Sequence, residues 1–530
     1  MRLVATRLLA QPHSGCVEHV RHWVEVIADR VVKRKQPPFV VLSGITTSGP
    51  VHLGTICEFL FPHALAEELR RRGFDTEMVF VADDLDAFDA IPFQLREYAD
   101  DLTPELGKPL SSTRDPLGCH ASFADHFFAE VREVATALGV EAKWLRASEL
   151  YAAGRYDPYA LLFLKRVDEV RSLWEEVTGR RLPAEWKNVV MPICPKCGRV
   201  ATTWVTQVEG DRVGFRCRGD VVTAYGVRGC GYEGTTTIAN HRFKLPFRLD
   251  WPSRQHFLNA SVEGAGKDHH TKGGTWEMAV AVHRRILGSE PPVGFRFGFV
   301  LLEGRKFSKS KGIGVFAQDV LKILPPEVIR YALLVPNAEE DRNWRTDGRF
   351  YLRIINKFER AWLLAEQPPE QLSRARLKEV KAARIAGRPR WRASFTDVVV
   401  AYQAWHNWDL VANYLKDPDG VAFLKPYIEE WLQRQLLPEE YRFELQPGPR
   451  AQHPDAVRCF AERLESEMDP VTIHNLVYSV AEEVGLEPKE LFADLYRVLL
   501  GKPRGPRMGR LIHALGVTRV KELLLRLYTD

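Results

Sequence analysis

What the 530-residue chain lacks narrows its class first. No segment approaches the roughly 18 uninterrupted apolar residues that a membrane-spanning helix needs, so no membrane role is expected. The N-terminus, Met1-Arg2-Leu3-Val4-Ala5, is basic and apolar but lacks a sustained apolar core and a cleavage site; a cytoplasmic protein is expected. Cysteine is scarce, eight in all, and four of the eight fall between residues 194 and 230, which favours a metal site over a disulfide framework. A large excess of one charge is missing too: the net is +5, which permits a nucleic-acid partner without requiring one. What remains is a globular composition, 45% hydrophobic and 27% charged, in a chain too long for one core, so three or four domains are expected.

The first half of the chain is organised around residues 43–55, Ser-Gly-Ile-Thr-Thr-Ser-Gly-Pro-Val-His-Leu-Gly-Thr. Ahead of it, Val17, Val20, Val24, Ile27 and Val31 give a helical period, and the apolar run Phe39 to Leu42 reads as a buried strand. After it, a helix is predicted from His52 to about Arg72, kinked at Pro62 and stopped at Gly73. A strand, a loop rich in glycine and hydroxyls, and a helix start together form a place for phosphates, because backbone N–H groups and the positive helix end point at an anion. His52 can donate to a phosphate oxygen, and Gly54 leaves room for a flat base. A second strand, Glu77 to Ala82, ends in Asp83, Asp84 and Asp86. Strand, helix, strand describes a doubly wound α/β domain with ligands beyond the carboxyl ends, where these aspartates either meet a ligand or cap the next element.

After residue 93 the alternation stops. Asp115, Cys119, His120 and His126 lie within twelve residues and are zinc-type ligands; a capping Asp, a buried Cys and surface histidines explain the same spacing. Residues 144–185 read as helical, with Leu161, Leu162, Leu164, Val167, Val170 and Leu173 on the buried side. Cys194-Pro-Lys-Cys197-Gly is a thiolate knuckle, and Cys217 and Cys230 complete an all-thiolate structural zinc site, although their spacing is not that of a simple second knuckle. Cys16, Cys57 and Cys459 read as small core residues. The α/β pattern resumes at Lys244, with a helix from Thr275 to Leu287 and a strand from Phe295 to Leu302. It leads into Lys306-Phe307-Ser308-Lys309-Ser310, whose two ammonium groups on a loop suit a clamp on a triphosphate.

His52-Leu53-Gly54-Thr55 and Lys306-Phe307-Ser308-Lys309-Ser310, in this order, resemble the two signature motifs of class I aminoacyl-tRNA synthetases. From about residue 18 onward the chain resembles the class I lysyl-tRNA synthetase family, through residues 43–50, Asp83 to Asp86, Asp115 to His120, Asp250-Trp251-Pro252, Gly266 to His269 and Gly501 to Arg507. Departures are Thr55 where the family more often has Asn or His, Phe247 where a Trp is expected, and Phe88-Asp89-Ala90 without the usual Arg-Lys.

The resemblance implies a Rossmann-type catalytic domain in two halves (1–95 and 241–312), a zinc-binding insertion (96–240), a stem-contact-like region (313–375) and an all-α anticodon-binding region (376–530). It implies lysine, ATP and tRNA(Lys) as substrates, a lysyl-adenylate intermediate, attack by the tRNA 2′-hydroxyl, and Mg2+ on the phosphates. It also implies one zinc at Asp115, Cys119, His120 and His126 and another at the four clustered cysteines. His52, Lys306 and Lys309 are the expected catalytic residues. Ser48, Gly54, Asp268 and Ser308 join them at ATP. Gly44 and Thr46 are expected at the lysine α-amino end, and the resemblance puts Phe247 and His269 at its side chain. A buried ε-ammonium needs an anion, and Asp84 or Asp86 is the expected one. The basic run from Arg374 to Arg392, with Trp391 inside it, is either a solvated face or a contact for RNA phosphates. No obligate protein partner is evident. A glutamyl enzyme of the same class and a non-catalytic RNA-binding derivative are the alternatives; aspartates in place of an Arg argue against the first, and the intact motifs against the second.

Overall fold

In the computed structural model, which describes residues 20–220, 226–306, 315–444 and 451–526, the chain divides into two units, Met1–Val320 with Arg330–Trp344 and Leu321–Ile329 with Arg345–Asp530. The first unit opens with α1 (Trp23–Arg34), which buries Val24, Ile27, Ala28 and Val31. Its start is fixed by Glu25 accepting the His22 N–H at 2.7 Å. Val17 lies outside the described residues, and the helix begins after Val20 rather than before it. Strand β1 (Phe39–Ile45) follows, then α2 (Leu53–Arg71), which is buried on all sides and so is a core helix.

The helix continues through Pro62. Proline lacks the N–H that would bond the Glu58 carbonyl, and the Ser43 hydroxyl of β1 donates to that carbonyl instead. The residue that breaks the ladder thus ties α2 to the strand bearing the first motif. Cys57, beside it, is buried as expected.

β2 (Thr76–Ala82) pairs in parallel with β1, from Phe39 opposite Thr76 to Ile45 opposite Ala82. Short turns, α3 (Ala99–Leu102) and α4 (Phe123–Ala137) come next. β3 (Lys143–Arg146) then pairs with β2, so the stretch predicted as helix from residue 144 starts as a strand. Four residues are too few to show an alternating pattern; Trp144 packs on Phe80 and Phe128. α5 (Ala147–Ala152), α6 (Asp157–Lys165) and α7 (Val167–Thr178) carry the helical remainder. Leu161, expected inside, is 41% exposed, because Ala160, Phe163 and Leu164 form the buried stripe of α6 and Leu161 lies off it.

β4 (Met191–Pro192) precedes an antiparallel meander of β5 (Thr203–Glu209), β6 (Arg212–Cys217) and β7 (Glu233–Thr237), and pairs with β8 (Phe243–Lys244) after it. Alternation then returns with α8 (Phe247–Phe257), β9 (Val262–Gly266), α9 (Thr275–Val282) and β10 (Val293–Phe297). The main sheet runs β10-β9-β1-β2-β3, all parallel. From β1 the chain builds outward one way through β2 and β3, and later the other way through β9 and β10. The reversal between β1 and β9 opens a crevice at the strand carboxyl ends. Residues 43–55, 83–86 and 266–269 all stand there.

The strand predicted from Phe295 to Leu302 is two strands. β10 stays in the main sheet, while β11 (Val300–Leu302) joins β12 (Arg305–Lys306) and β13 (Arg342–Trp344) in a second one. The break falls at Gly298, where a Cβ would lie 2.3 Å from the Glu340 carbonyl oxygen.

The second unit is helical almost throughout, with helices such as Gly348–Leu364, Arg374–Ala386, Phe395–Trp405, Pro418–Gln433, Pro470–Glu483 and Pro488–Leu500. Trp391 of the basic run is 4% exposed and stacked on Phe423, its indole N–H donating to Glu359 at 2.8 Å. Arg390 pairs with Glu327 and Arg392 with Asp417, yet both side chains stay exposed, as do Arg374 and Arg388. Among the described residues no helix is long and apolar enough to cross a membrane.

Candidate active site

The first motif leaves β1 through a tight turn. The Ser48 N–H donates to the Thr46 carbonyl at 2.9 Å, and Gly49 takes a φ of 147°, a conformation open to glycine. His52 caps α2: its Nδ1 accepts the Thr55 N–H at 3.2 Å, which fixes the ring at the positive helix end. Farther along the chain, the Leu53 N–H donates to the Val315 carbonyl at 3.0 Å and the Ala317 N–H to the Val51 carbonyl at 2.9 Å. The backbone on the far side of the second motif is thus stitched to the first. On its near side Lys306 stands opposite Leu301 in the β11–β12 pair. Ser308, Lys309 and Ser310 lie outside the described residues.

Three cavities meet at Thr46. One, of about 270 Å³, is lined by His52, Gly54, Thr55, Glu58, Asp268 and His269. A second, of about 320 Å³, is lined by Gly44, Asp83, Asp86, Phe247, Trp251, Arg254 and His269. The third, of about 620 Å³, is lined by Ser48, Asp86, Asp89, Met191, Lys244 and Phe247. His52, Gly54 and Asp268 therefore share one cavity, and Gly44, Thr46, Asp86, Phe247 and His269 share the next. Ser48, expected with the nucleotide residues, lines the third, because the turn at Thr46–Gly49 carries it to the other side. Phe247 stacks on Trp251 with ring centres 5.5 Å apart, and His269 stands 5.9 Å from Phe247, giving one aromatic wall. Gly44 owes its identity to packing rather than to ligand room: a Cβ there would lie 2.5 Å from the Val81 carbonyl oxygen of β2.

The two aspartates that the sequence left open separate cleanly. Asp84 is buried and spent locally: Ser148 donates its N–H at 2.7 Å and its hydroxyl at 2.5 Å, at the start of α5. Asp84 thus caps α5 and is not among the residues that line the three cavities. Asp86 faces the cavities, with Thr46 Oγ1 donating to its Oδ2 at 2.5 Å and Lys244 Nζ 2.9 Å from its Oδ1. Beneath it Lys244 also lies 3.2 Å from Asp250, which accepts the Tyr151 and Tyr156 hydroxyls at 2.6 and 3.0 Å. Burial opposes both charges, yet Asp250 and Asp86 hold the Lys244 proton more tightly than usual, and Lys244 and Arg254 hold Asp250 below the ordinary carboxylate range. Arg254 pairs with Asp83, both nearly inaccessible.

Two ligand clusters lie outside the crevice. Donor atoms of Asp115, Cys119, His120 and His126 all lie within 4.8 Å of one another, and so do those of Cys194, Cys197, Cys217 and Cys230. Zinc–sulfur bonds of about 2.3 Å in a tetrahedron imply sulfur–sulfur separations of about 3.8 Å. The Cys194–Cys230 and Cys197–Cys217 pairs are both at 3.6 Å, so the thiols fit that geometry. The second half is a knuckle after all: the Gly229 N–H reaches the Arg218 carbonyl and the Gly231 N–H reaches the Cys217 carbonyl at 2.9 Å. Residues inserted between Arg218 and Gly229 hide it in the sequence.

A family model described as tRNA synthetases class I (K) matches residues 21–383. The chain belongs to that family. It is 31% identical over 520 residues to the lysine–tRNA ligase of Archaeoglobus fulgidus, covering 94% of this chain and 99% of the relative. The lysine–tRNA ligase of Methanosarcina barkeri is 29% identical, covering 92% of this chain and 94% of its own, and that of Methanocaldococcus jannaschii is 27% identical, covering 96% and 99%.

In this class I synthetase the buried ion network of Lys244, Asp250 and Arg254 escaped the sequence, since isolated charged residues carry no local signal of a distant partner. Glu58 escaped as well. It lines both smaller cavities, and burial, with Asp268 and Glu263 nearby, pushes its carboxyl up to about 8. A raised carboxyl holds its proton longer in the folded than in the unfolded chain, so its contribution to stability is complete below about pH 4.5 and is lost as pH rises through about 8. Glu58→Gln removes that loss. The melting temperature of the variant relative to the unaltered synthetase is expected to rise between pH 5 and pH 9, and thermal unfolding across that range checks it.

Proposed function

We propose that this synthetase condenses L-lysine with ATP, releases pyrophosphate, and esterifies the end of tRNA(Lys) with the lysyl group, working in the cytoplasm. The observation that carries the proposal is the crevice at the β1–β9 reversal. There the first motif is stitched by backbone hydrogen bonds to Val315 and Ala317, a few residues beyond the second motif, beside a cavity that presents the Asp86 carboxylate. Membership of the family and the names of the relatives support lysine as the amino acid.

The lysine carboxylate is already a nucleophile, so catalysis is positioning and charge stabilisation. His52, at the head of α2, faces the phosphates; Lys309, with Lys306 and Ser308, closes on them from the second motif. Gly54 admits the adenine and Asp268 accepts from the ribose hydroxyls. Mg2+ bound chiefly to the phosphate oxygens supplies further counter-charge. Thr46 and the backbone at Gly44 orient the α-amino end. Phe247 and His269 flank the side chain, and Asp86 pairs with the ε-ammonium, which could not be buried without an anion. A glutamate side chain would set a second carboxylate against Asp86, while the nearest guanidinium, Arg254, is already tied to Asp83.

Zinc at both ligand clusters is part of the proposal. Four protein ligands apiece leave no open position, so the ions are structural. Cys217→Ser is expected to remove about one zinc equivalent of two and to lower the melting temperature, with metal content by atomic emission as the readout; unchanged content would refute the all-thiolate site. Exposed arginines such as Arg374 and Arg388 would meet RNA phosphates, and Trp391, being buried, would not stack on a base. ATP–pyrophosphate exchange across a panel of amino acids, with and without tRNA, tests the proposal. Exchange that needs lysine supports it, and exchange with glutamate, or with none, refutes it.

A further inference from the structure

Lys244 has no part in the reaction as assigned above, although its side chain is only 5% exposed and touches Asp86. An ammonium buried that far is tolerated only where it neutralises something. Glu58 and Glu263 line the same cavity as Asp86, but burial pushes both carboxyls toward the neutral form. The carboxylates paired with cations are Asp83, Asp86 and Asp250, and the cations are Lys244 and Arg254, so three negative charges against two positive ones leave one in excess. The excess is not spread evenly. Asp83 is matched by Arg254. Asp250, wholly inaccessible, is saturated by Lys244 and two phenol hydroxyls. Asp86 alone of the three carboxylates has a side chain as much as 20% exposed, and it lines two of the three cavities.

We propose that Lys244 is a positioning residue that sets the charge of the amino-acid pocket: by neutralising Asp250 it leaves one carboxylate charge, at Asp86, for one incoming side-chain cation. The inference rests on the crevice being the lysine pocket. The bond from Lys244 to Oδ1, with that from Thr46 to Oδ2, also fixes the plane of the Asp86 carboxylate. An amino acid with one side-chain ammonium completes the balance. A neutral side chain leaves the excess unpaired, and an acidic one doubles it. Without Lys244, the buried Asp250 and the half-buried Asp86 would face each other with no cation between them, and such a pair relieves itself by taking up a proton at neutral pH. The one charge left would then be shared between Asp86 and Asp250, and less of it would be offered to lysine at Asp86.

The test uses the full-length protein with Lys244→Met, and with Lys244→Met combined with Asp250→Asn, in lysine-dependent ATP–pyrophosphate exchange at pH 7. The single variant is expected to raise the lysine KM at least tenfold on this charge account, with the ATP KM within about twofold and kcat within about threefold. The double variant removes one charge of each sign and confines the single excess charge to Asp86, so its lysine KM is expected to return to within about threefold of the unaltered protein. A residue that merely braces β8 would give a double variant no better than the single one, and that result overturns the proposal. So does an unchanged lysine KM in the single variant, or a fall in kcat alone. Should the single variant not fold, the lysine KM of the double variant decides. Exchange by the unaltered protein that depends on another amino acid refutes the lysine pocket itself, and it is read without any variant, so the two failures stay distinct.

Discussion

Asp86→Asn is expected to raise the lysine KM by about 10²-fold or more and to leave the ATP KM within about twofold. The amide has the shape of the carboxylate and can still accept from Thr46 Oγ1, which now lies 2.5 Å from Oδ2. What it loses is charge. Truncating one partner of a buried hydrogen-bonded ion pair costs about 2–5 kcal/mol, or a factor of roughly 30 to several thousand in affinity. Lys244 keeps Asp250 at 3.2 Å, so the variant is expected to fold. Asp84→Asn is the control. Its carboxylate serves Ser148 at the start of α5, so the change is expected to lower stability by about 1–2 kcal/mol and to leave the lysine KM nearly unaltered. Exchange kinetics with lysine varied would decide; a large lysine effect for Asp84→Asn and none for Asp86→Asn would invert the assignment.

The largest stability effect is expected at Arg254. Its side chain is 2% exposed and that of Asp83, its partner at the end of β2, is 4% exposed. Arg254→Met keeps most of the volume but strands a carboxylate in the interior. Breaking a buried pair in this way costs about 3–5 kcal/mol, a large share of the 5–15 kcal/mol typical of a folded domain. Urea unfolding should show a midpoint lowered accordingly. Adding Asp83→Asn removes the stranded charge and is expected to recover more than half of the loss, because replacing both partners is far less costly than removing one. An unfolding midpoint for Arg254→Met equal to that of the unaltered protein would mean that the pair is not buried as described.

The parts of the crevice that were legible in the sequence are those whose signal is local. The apolar run at Phe39, the glycine and hydroxyl loop after it and the Asp tract after Ala82 each announce an element within a few residues, and the β1–α2–β2 unit follows from them. The knuckle at Cys194 and Cys197 is local in the same way. β3 was missed because four residues cannot display a period, and the bend at Gly298 because its cause, the Glu340 backbone, lies far along the chain. Asp84 and Asp86 look alike in sequence; only the presence of Ser148 beside one and Thr46 and Lys244 beside the other tells them apart. Ser43 shows the limit from the other side. Its hydroxyl opens the stretch whose sequence invites a phosphate role, yet it sits in β1 and its bond goes to the carbonyl that Pro62 leaves open. Pairings across the fold, rather than residue types, assign these roles.

The most direct test of the central claim is transfer of labelled amino acid to a tRNA(Lys) transcript by the purified, zinc-replete protein in the presence of ATP and Mg2+. Lysine is expected to be esterified to the transcript in a reaction abolished by His52→Ala, with glutamate not accepted. Esterification of glutamate, or no transfer of lysine by a folded protein, would contradict it.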